Sequence, residues 1–136
     1  MREGFEIADF ANWHAKSVYF FDPAGNILEL IARFDLENPM KKKFSPKQFL
    51  SISEIGLVFA HEEFEQKNSE LLLDNYSLSY FDKQPPMPHF RAIGDDEELF
   101  IAVPEHRNWY PANKPSGIFP IQVDFENGGK QFEIKF

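Results

Sequence analysis

The sequence has no cysteine, which excludes disulfides, thiolate nucleophiles and thiolate metal sites. It is short of cations: 14 Lys and Arg stand against 22 Asp and Glu, a formal net charge of -8. A surface of that sign repels phosphate backbones, so nucleic acid is not an expected partner. The run Lys41-Lys42-Lys43 is a local exception and reads as a solvated linker. No apolar stretch approaches the roughly 20 residues of a membrane span, so no membrane partner is expected. Only four histidines are present, and none has HxxxH or HExxH spacing. Met1-Arg2-Glu3-Gly4 leads into mixed polar sequence without the pattern of a secretory leader. With neither cysteine nor leader, a cytoplasmic location is the expectation.

What the chain does have is aromatic bulk. Phenylalanine alone accounts for 16 of the 136 residues, and so many planar side chains need a real core or an apolar cavity to line. The length suits one compact domain or two small, closely packed subdomains.

The β-rich runs Ser17–Phe21 and Ile27–Phe34 flank Asp22-Pro23-Ala24-Gly25-Asn26, a strong turn signal, and predict an antiparallel hairpin. Residues 5–10 precede it as a short strand. Residues 35–50 carry Pro39, Pro46 and the lysine run, which is linker composition. Residues 52–60 read as a strand, central in its sheet because its end is almost continuously apolar. Residues 61–75 contain no Pro or Gly and predict a helix with Phe64, Leu71 and Leu72 near one face. Glu62 and Glu63 suit its first turn. A short strand around Leu78–Phe81 follows, then a Pro-rich break, a hairpin turning at Asp95–Glu98, a long loop over 105–117, and a last hairpin around Gly128-Gly129. The fold class is α+β, with curved mixed or antiparallel sheet and one principal helix.

The two end hairpins can be laid over one another. Gly25 falls on Gly129, Phe21 on Phe125, Tyr19 on Val123, Glu29 on Glu133 and Leu30 on Ile134. An internal repeat of two related halves is therefore expected, the first lacking its opening strand and helix.

The segment His14–Leu30, with Phe21-Asp22-Pro23-Ala24-Gly25-Asn26 at its turn and Glu29-Leu30 after it, resembles the closing hairpin of the vicinal-oxygen-chelate superfamily. That superfamily includes glyoxalases, extradiol dioxygenases and bleomycin-resistance proteins. Its motif is aromatic-Asp-Pro-Asp-Gly-Asn-x-x-Glu-Leu, and here only the second Asp is changed, to Ala24. Ser53–Ala60 followed by a helix resembles the opening of a second module. The resemblance implies a βαβββ-type glyoxalase-like fold. Residues 1–34 would be a partial first module, 35–50 a linker and 51–136 a second module.

The resemblance also implies a divalent metal in the cup, with Glu29 as a usual ligand and Mn, Fe, Ni or Zn suited to carboxylate plus imidazole. His14 and Glu133 are the residues that could join Glu29. The set departs from the family's, because the first opening strand is missing and Gly56 stands near the second module's ligand position. A metal is therefore expected to be absent or weakly bound. The bland alternative for Glu29 is a solvent-facing residue on a half-exposed sheet, and for His14 a loop histidine. Arg107, Trp109 and Tyr110 together offer a cation, a stacking face and a hydroxyl for a small-molecule ligand, or else a loop packed down by its aromatics. Asp22, Gly25 and Asn26 read as turn-forming residues. Two function classes stay open. One is a metal-dependent lyase, isomerase or ring-cleaving dioxygenase acting on a small vicinal-oxygen substrate. The other is a metal-free small-ligand-binding or non-catalytic member. No catalytic residue is assigned.

The first hairpin is apolar on both faces, and only one can pack on the rest of the chain. A homodimer is therefore expected. Light scattering at low micromolar concentration should return about twice the mass of one chain, and a single-chain mass at every concentration would remove the idea.

Overall fold

The computed structural model describes residues 6–136, except the side chains of Ser69 and Leu71. The Met1–Gly4 segment and Phe5 of the expected first strand lie outside those residues. Strand β1 (Ile7–Phe10) pairs antiparallel with β2 (Ala15–Phe21), and β2 pairs antiparallel with β3 (Ile27–Arg33). The β2–β3 turn is built as its residues suggest. Asn26 donates through its backbone and side-chain amides to the two Asp22 carboxylate oxygens at 2.8 Å, and Gly25 takes φ +86°, where a side chain would be strained.

After a segment with one short 3-10 turn (Pro46–Gln48) comes β4 (Glu54–Phe59). The helical stretch then opens as a 3-10 turn (His61–Glu63), continues as α1 (Phe64–Lys67) and widens into π geometry over Asn68–Asp74. Phe64 and Leu72 are buried, as the expected apolar face requires. Tyr80 forms an antiparallel bridge with Ile93 of β5 (Arg91–Gly94), which pairs antiparallel with β6 (Leu99–Pro104). Strands β4 and β6 run parallel, so the sheet order is β4-β6-β5. The central strand is thus β6, and β4, expected to be central, lies at the edge. The reason is the parallel crossover, which returns the chain inside β4 and leaves it outermost. All six residues of β6 are buried.

The loop after β6 holds a two-residue pair, β7 (Asn108–Trp109) with β8 (Lys114–Pro115). The chain ends in the hairpin of β9 (Gln122–Asn127) and β10 (Lys130–Lys135). Here the repeat expected from sequence fails in register. In the first hairpin Glu29 stands opposite Tyr19. In the last, Glu133 stands opposite Asp124, which overlays Phe20 rather than Tyr19. The shorter turn shifts the pairing by one residue, and a one-residue slip sends a side chain to the other face.

Two apolar layers sandwich the β4-β6-β5 sheet. Leu57, Phe59, Phe64, Leu72, Ile93, Phe100 and Ile134 fill the layer toward the helix and the last hairpin. Phe81, Ala92, Leu99 and Ile101 fill the layer on the other face, with Trp13, Phe90 and Trp109 packed against them. Trp13 brings the first sheet onto that second layer. The opposite face of the first sheet carries Ile7, Val18, Phe20, Leu28 and Leu30, of which Ile7 is 67% exposed and Leu28 41%. Among the described residues no helix is long and apolar enough to cross a membrane.

Leu57 is 1% exposed in the first layer. Replacing it with Ala should cost roughly 2–5 kcal/mol through lost transfer energy and a cavity. Urea denaturation at neutral pH measures it, and a loss under about 1 kcal/mol would mean that the layer is loosely packed.

Candidate functional site

In an antiparallel pair, residues directly opposite share a face. Tyr19 and Glu29 are such a pair, and Arg33 lies four residues beyond Glu29 on the same face. That face looks across at the edge of the second sheet, where Glu54 opens β4. Arg33 Nη2 donates to Glu54 Oε1, and the Arg33 side chain is 2% exposed. The Glu29 charge also acts on Glu54. Tyr19 stands directly opposite Glu29, on the neighbouring strand. The centre of the concavity between the sheets is therefore two carboxyls, one guanidinium and one phenol.

Its electrostatics follow from burial. Glu54 is pushed up to about 7, first by desolvation and then by the Glu29 charge, which together outweigh the Arg33 guanidinium. Tyr19 is pushed up by desolvation and by the Glu29 carboxylate, so the phenol stays a hydrogen-bond donor. Behind Arg33, Asp96 stands 3.7 Å from Nη1, and Lys83 bridges Asp96 to Asp35 at 2.5 Å from each. The Lys83 and His14 hydrogen bonds hold the Asp35 carboxyl below its usual range. Arg33 Nε and Nη1, Asp96 Oδ1 and Ser17 Oγ are buried without a hydrogen-bond partner in the chain.

The wall beside this centre is aromatic. Phe10, Tyr19 and Tyr110 meet edge to face, with ring centroids 5.7–6.5 Å apart. Trp109 lies on the backbone of Gly56, and a Cβ at Gly56 would stand 3.0 Å from the indole. Glycine is thus what admits the indole, and Trp109 takes the space that a side chain from β4 would have used. Arg107 covers the ring of Phe90 at 5.1 Å and also lines the concavity.

Of the residues singled out in the sequence, Glu29, Arg107, Trp109 and Tyr110 line one concavity. His14 does not join them. It lies in a left-handed turn after β1, largely exposed, and is bound to Asp35 at 2.7 Å. Glu133 does not join them either. It is exposed on β10, 3.2 Å from Lys135 and 2.9 Å from Gln122, on the face dictated by the shifted register. Two central residues, Glu54 and Arg33, are absent from the sequence reading. Their only local signal is a charged residue at the end of an apolar strand, whereas Glu29 was singled out by the resemblance of its hairpin.

The divalent metal implied by the resemblance does not fit this donor set. Glu29 and Glu54 supply carboxylates, but the cation already on Glu54 is a buried guanidinium, which would repel a dication beside it. No imidazole stands with them, and among the described residues no three His, Cys, Asp or Glu side chains gather as a metal site. No protein-family model matches the chain, and no curated protein matches it.

Arg33→Met would leave Glu54 buried without its cation. We expect a stability loss on the order of 3–5 kcal/mol at pH 8 and a smaller loss at pH 6, where Glu54 takes up a proton. Adding Glu54→Gln should recover most of the loss. Urea denaturation of the single and double variants tests this, and strictly additive losses would show that the two side chains are not coupled.

Proposed function

We propose that this chain is a small-ligand-binding protein of the glyoxalase-like type that works without a metal. Its polar centre is Glu29, Glu54 and Tyr19, and its flanking wall is Trp109 and Tyr110. The observation that carries this reading is the Arg33 guanidinium seated on Glu54, an internal cation in the middle of the cup. The order strand, helix, bridge at Tyr80, β5 and β6, with β4 parallel to β6, supports a βαβββ module. The run β1-β2-β3 matches that module's last three strands in order and direction. The turn residues Asp22, Gly25 and Asn26 support the same reading.

The concavity is open to solvent, and the same trough continues around the edge of the first hairpin to Leu28 and Leu30. Small-ligand pockets hold about 300–1,000 Å³, so the ligand's place is the polar centre and its aromatic wall, not the whole trough. A metal-dependent lyase, isomerase or dioxygenase is less well supported, because its donor set is incomplete and a guanidinium already neutralises one carboxylate.

Chelator-treated protein should bind the neutral dye Nile red saturably. Trp109→Ala should weaken binding roughly fivefold, the equivalent of about 1 kcal/mol for one aromatic contact. Mn²⁺, Ni²⁺ or Zn²⁺ should leave the melting temperature unchanged. A stoichiometric metal that raises it, and whose effect Glu29→Gln abolishes, would replace this reading with the metal-dependent one.

A further inference from the structure

We propose that the open face of the first sheet and the linker beside it form a groove for an acidic amphipathic helix of a partner protein. This concerns the side of the sheet turned away from the cup, and it does not depend on the ligand reading.

The second half of the chain shows how such a face is covered. Side chains alternate along a strand. In β6, Leu99 and Ile101 point toward the first sheet, and Phe100 and Ala102 point away from it. The away side is covered by the helical stretch His61–Asp74, whose Phe64 and Leu72 are buried there. In the first sheet β3 divides the same way, with Glu29, Ile31 and Arg33 on the inner side and Leu28 and Leu30 on the outer. Leu28 and Leu30 are 41% and 38% exposed, and among the described residues no α-helix lies over them. Two sheets of the same strand order and directions thus differ by one layer.

The groove has a second wall. In the segment between β3 and β4, Phe44 is 65% exposed, Phe49 56% and Leu50 67%, and they line one trough with Leu28, Leu30 and Phe34. Phe44 and Phe49 meet edge to face at 5.3 Å across the Pro46–Gln48 turn, which Ser45 and Gln48 cap. An apolar channel between a sheet face and a row of bulky side chains suits the single apolar stripe of an amphipathic helix.

Charge selects which helix. Between Glu37 and Glu54 there is no acid, but Lys41, Lys42, Lys43 and Lys47 are there, all exposed. Among the described residues none of the four has a carboxylate within 4.0 Å. Four of the chain's 14 Lys and Arg sit here, leaving ten to face its 22 acids, so this wall is the basic strip of an acidic molecule. Lysines beside an apolar groove favour carboxylates on the polar flank of whatever lies in it. The helix that covers the second sheet has that composition, with Glu62, Glu63, Glu65, Glu70 and Asp74 against Lys67. A second copy suits the groove less well, because a two-fold contact uses the same patch on both partners and brings the two lysine runs onto one interface.

The test titrates the whole chain into two labelled synthetic peptides of about 18 residues, long enough to be helical. Both carry the same leucine stripe, and the polar positions are Glu in one and Lys in the other. Unspecific attraction to a chain of net charge -8 favours the Lys peptide, so the order of affinities is decisive. Fluorescence anisotropy should show saturable binding of the Glu peptide, at least about tenfold tighter than the Lys peptide and weakened as salt rises from about 0.1 M to about 0.5 M. Leu28→Asp should weaken the Glu peptide about tenfold. The triple change Lys41→Glu, Lys42→Glu and Lys43→Glu, at exposed linker positions and with an unchanged urea midpoint, should invert the preference. Equal or tighter binding of the Lys peptide overturns the proposal, and so does a Glu-peptide affinity that the lysine changes leave intact. A dimer in light scattering that Leu28→Asp separates also overturns it, because a second copy would then be the cover.

Discussion

The buried pairing of Arg33 with Glu54 is the constraint on which the arrangement of this protein depends. It is the point where the three-stranded N-terminal sheet and the β4-β6-β5 sheet exchange charge. Arg33 is almost wholly removed from water, which a guanidinium tolerates only with an acidic partner in contact. Because Glu54 must reach Arg33, β4 has to begin beside β3. Because β4 begins there, Gly56 comes under Trp109, and the aromatic loop is drawn over the joint. The ionic chain then runs on through Asp96, Lys83 and Asp35 to His14. This gives the exposed histidine a structural occupation at the far end of the same network.

How much of this was legible in the sequence depends on whether the signal was local. The β2–β3 hairpin was, since Asp22, Gly25 and Asn26 form their turn from their own side chains and backbone. Glu29 was singled out through the resemblance of its hairpin, and the loop of Arg107, Trp109 and Tyr110 was legible from composition. The fold class and the helical stretch were also readable from periodicity. Glu133 misled because its overlay on Glu29 preserves spacing but not register, and register decides the face. Glu54 and Arg33 were missed because their meaning is a contact spanning 21 positions, between two strands whose own patterns look complete without it. The place of β4 at the edge was missed for a similar reason, since only the parallel crossover decides which strand is covered on both sides.

The chemistry of the cup turns on what neutralises two facing carboxylates. A dication would do so with several donors and a fixed geometry. Here a guanidinium takes up part of one charge, and a proton can take up the other. Burial has placed Glu54 near neutrality, where that proton can come and go. Tyr19, opposite Glu29, is held protonated by burial and by the Glu29 charge, so it adds no negative charge to the site.

The two halves are unequally covered. The β4-β6-β5 sheet is packed on both faces, and its middle strand is wholly buried. The first sheet is covered on one face, with Ile7, Leu28 and Leu30 open on the other. It meets its neighbour through Trp13, the Phe10–Tyr19–Tyr110 wall and the Arg33–Glu54 pair. The same three strands therefore present Tyr19, Glu29 and Arg33 toward the second sheet and an apolar face away from it. Whatever covered that second face would bury Leu28 and Leu30, and so add apolar burial to the sheet that has least of it.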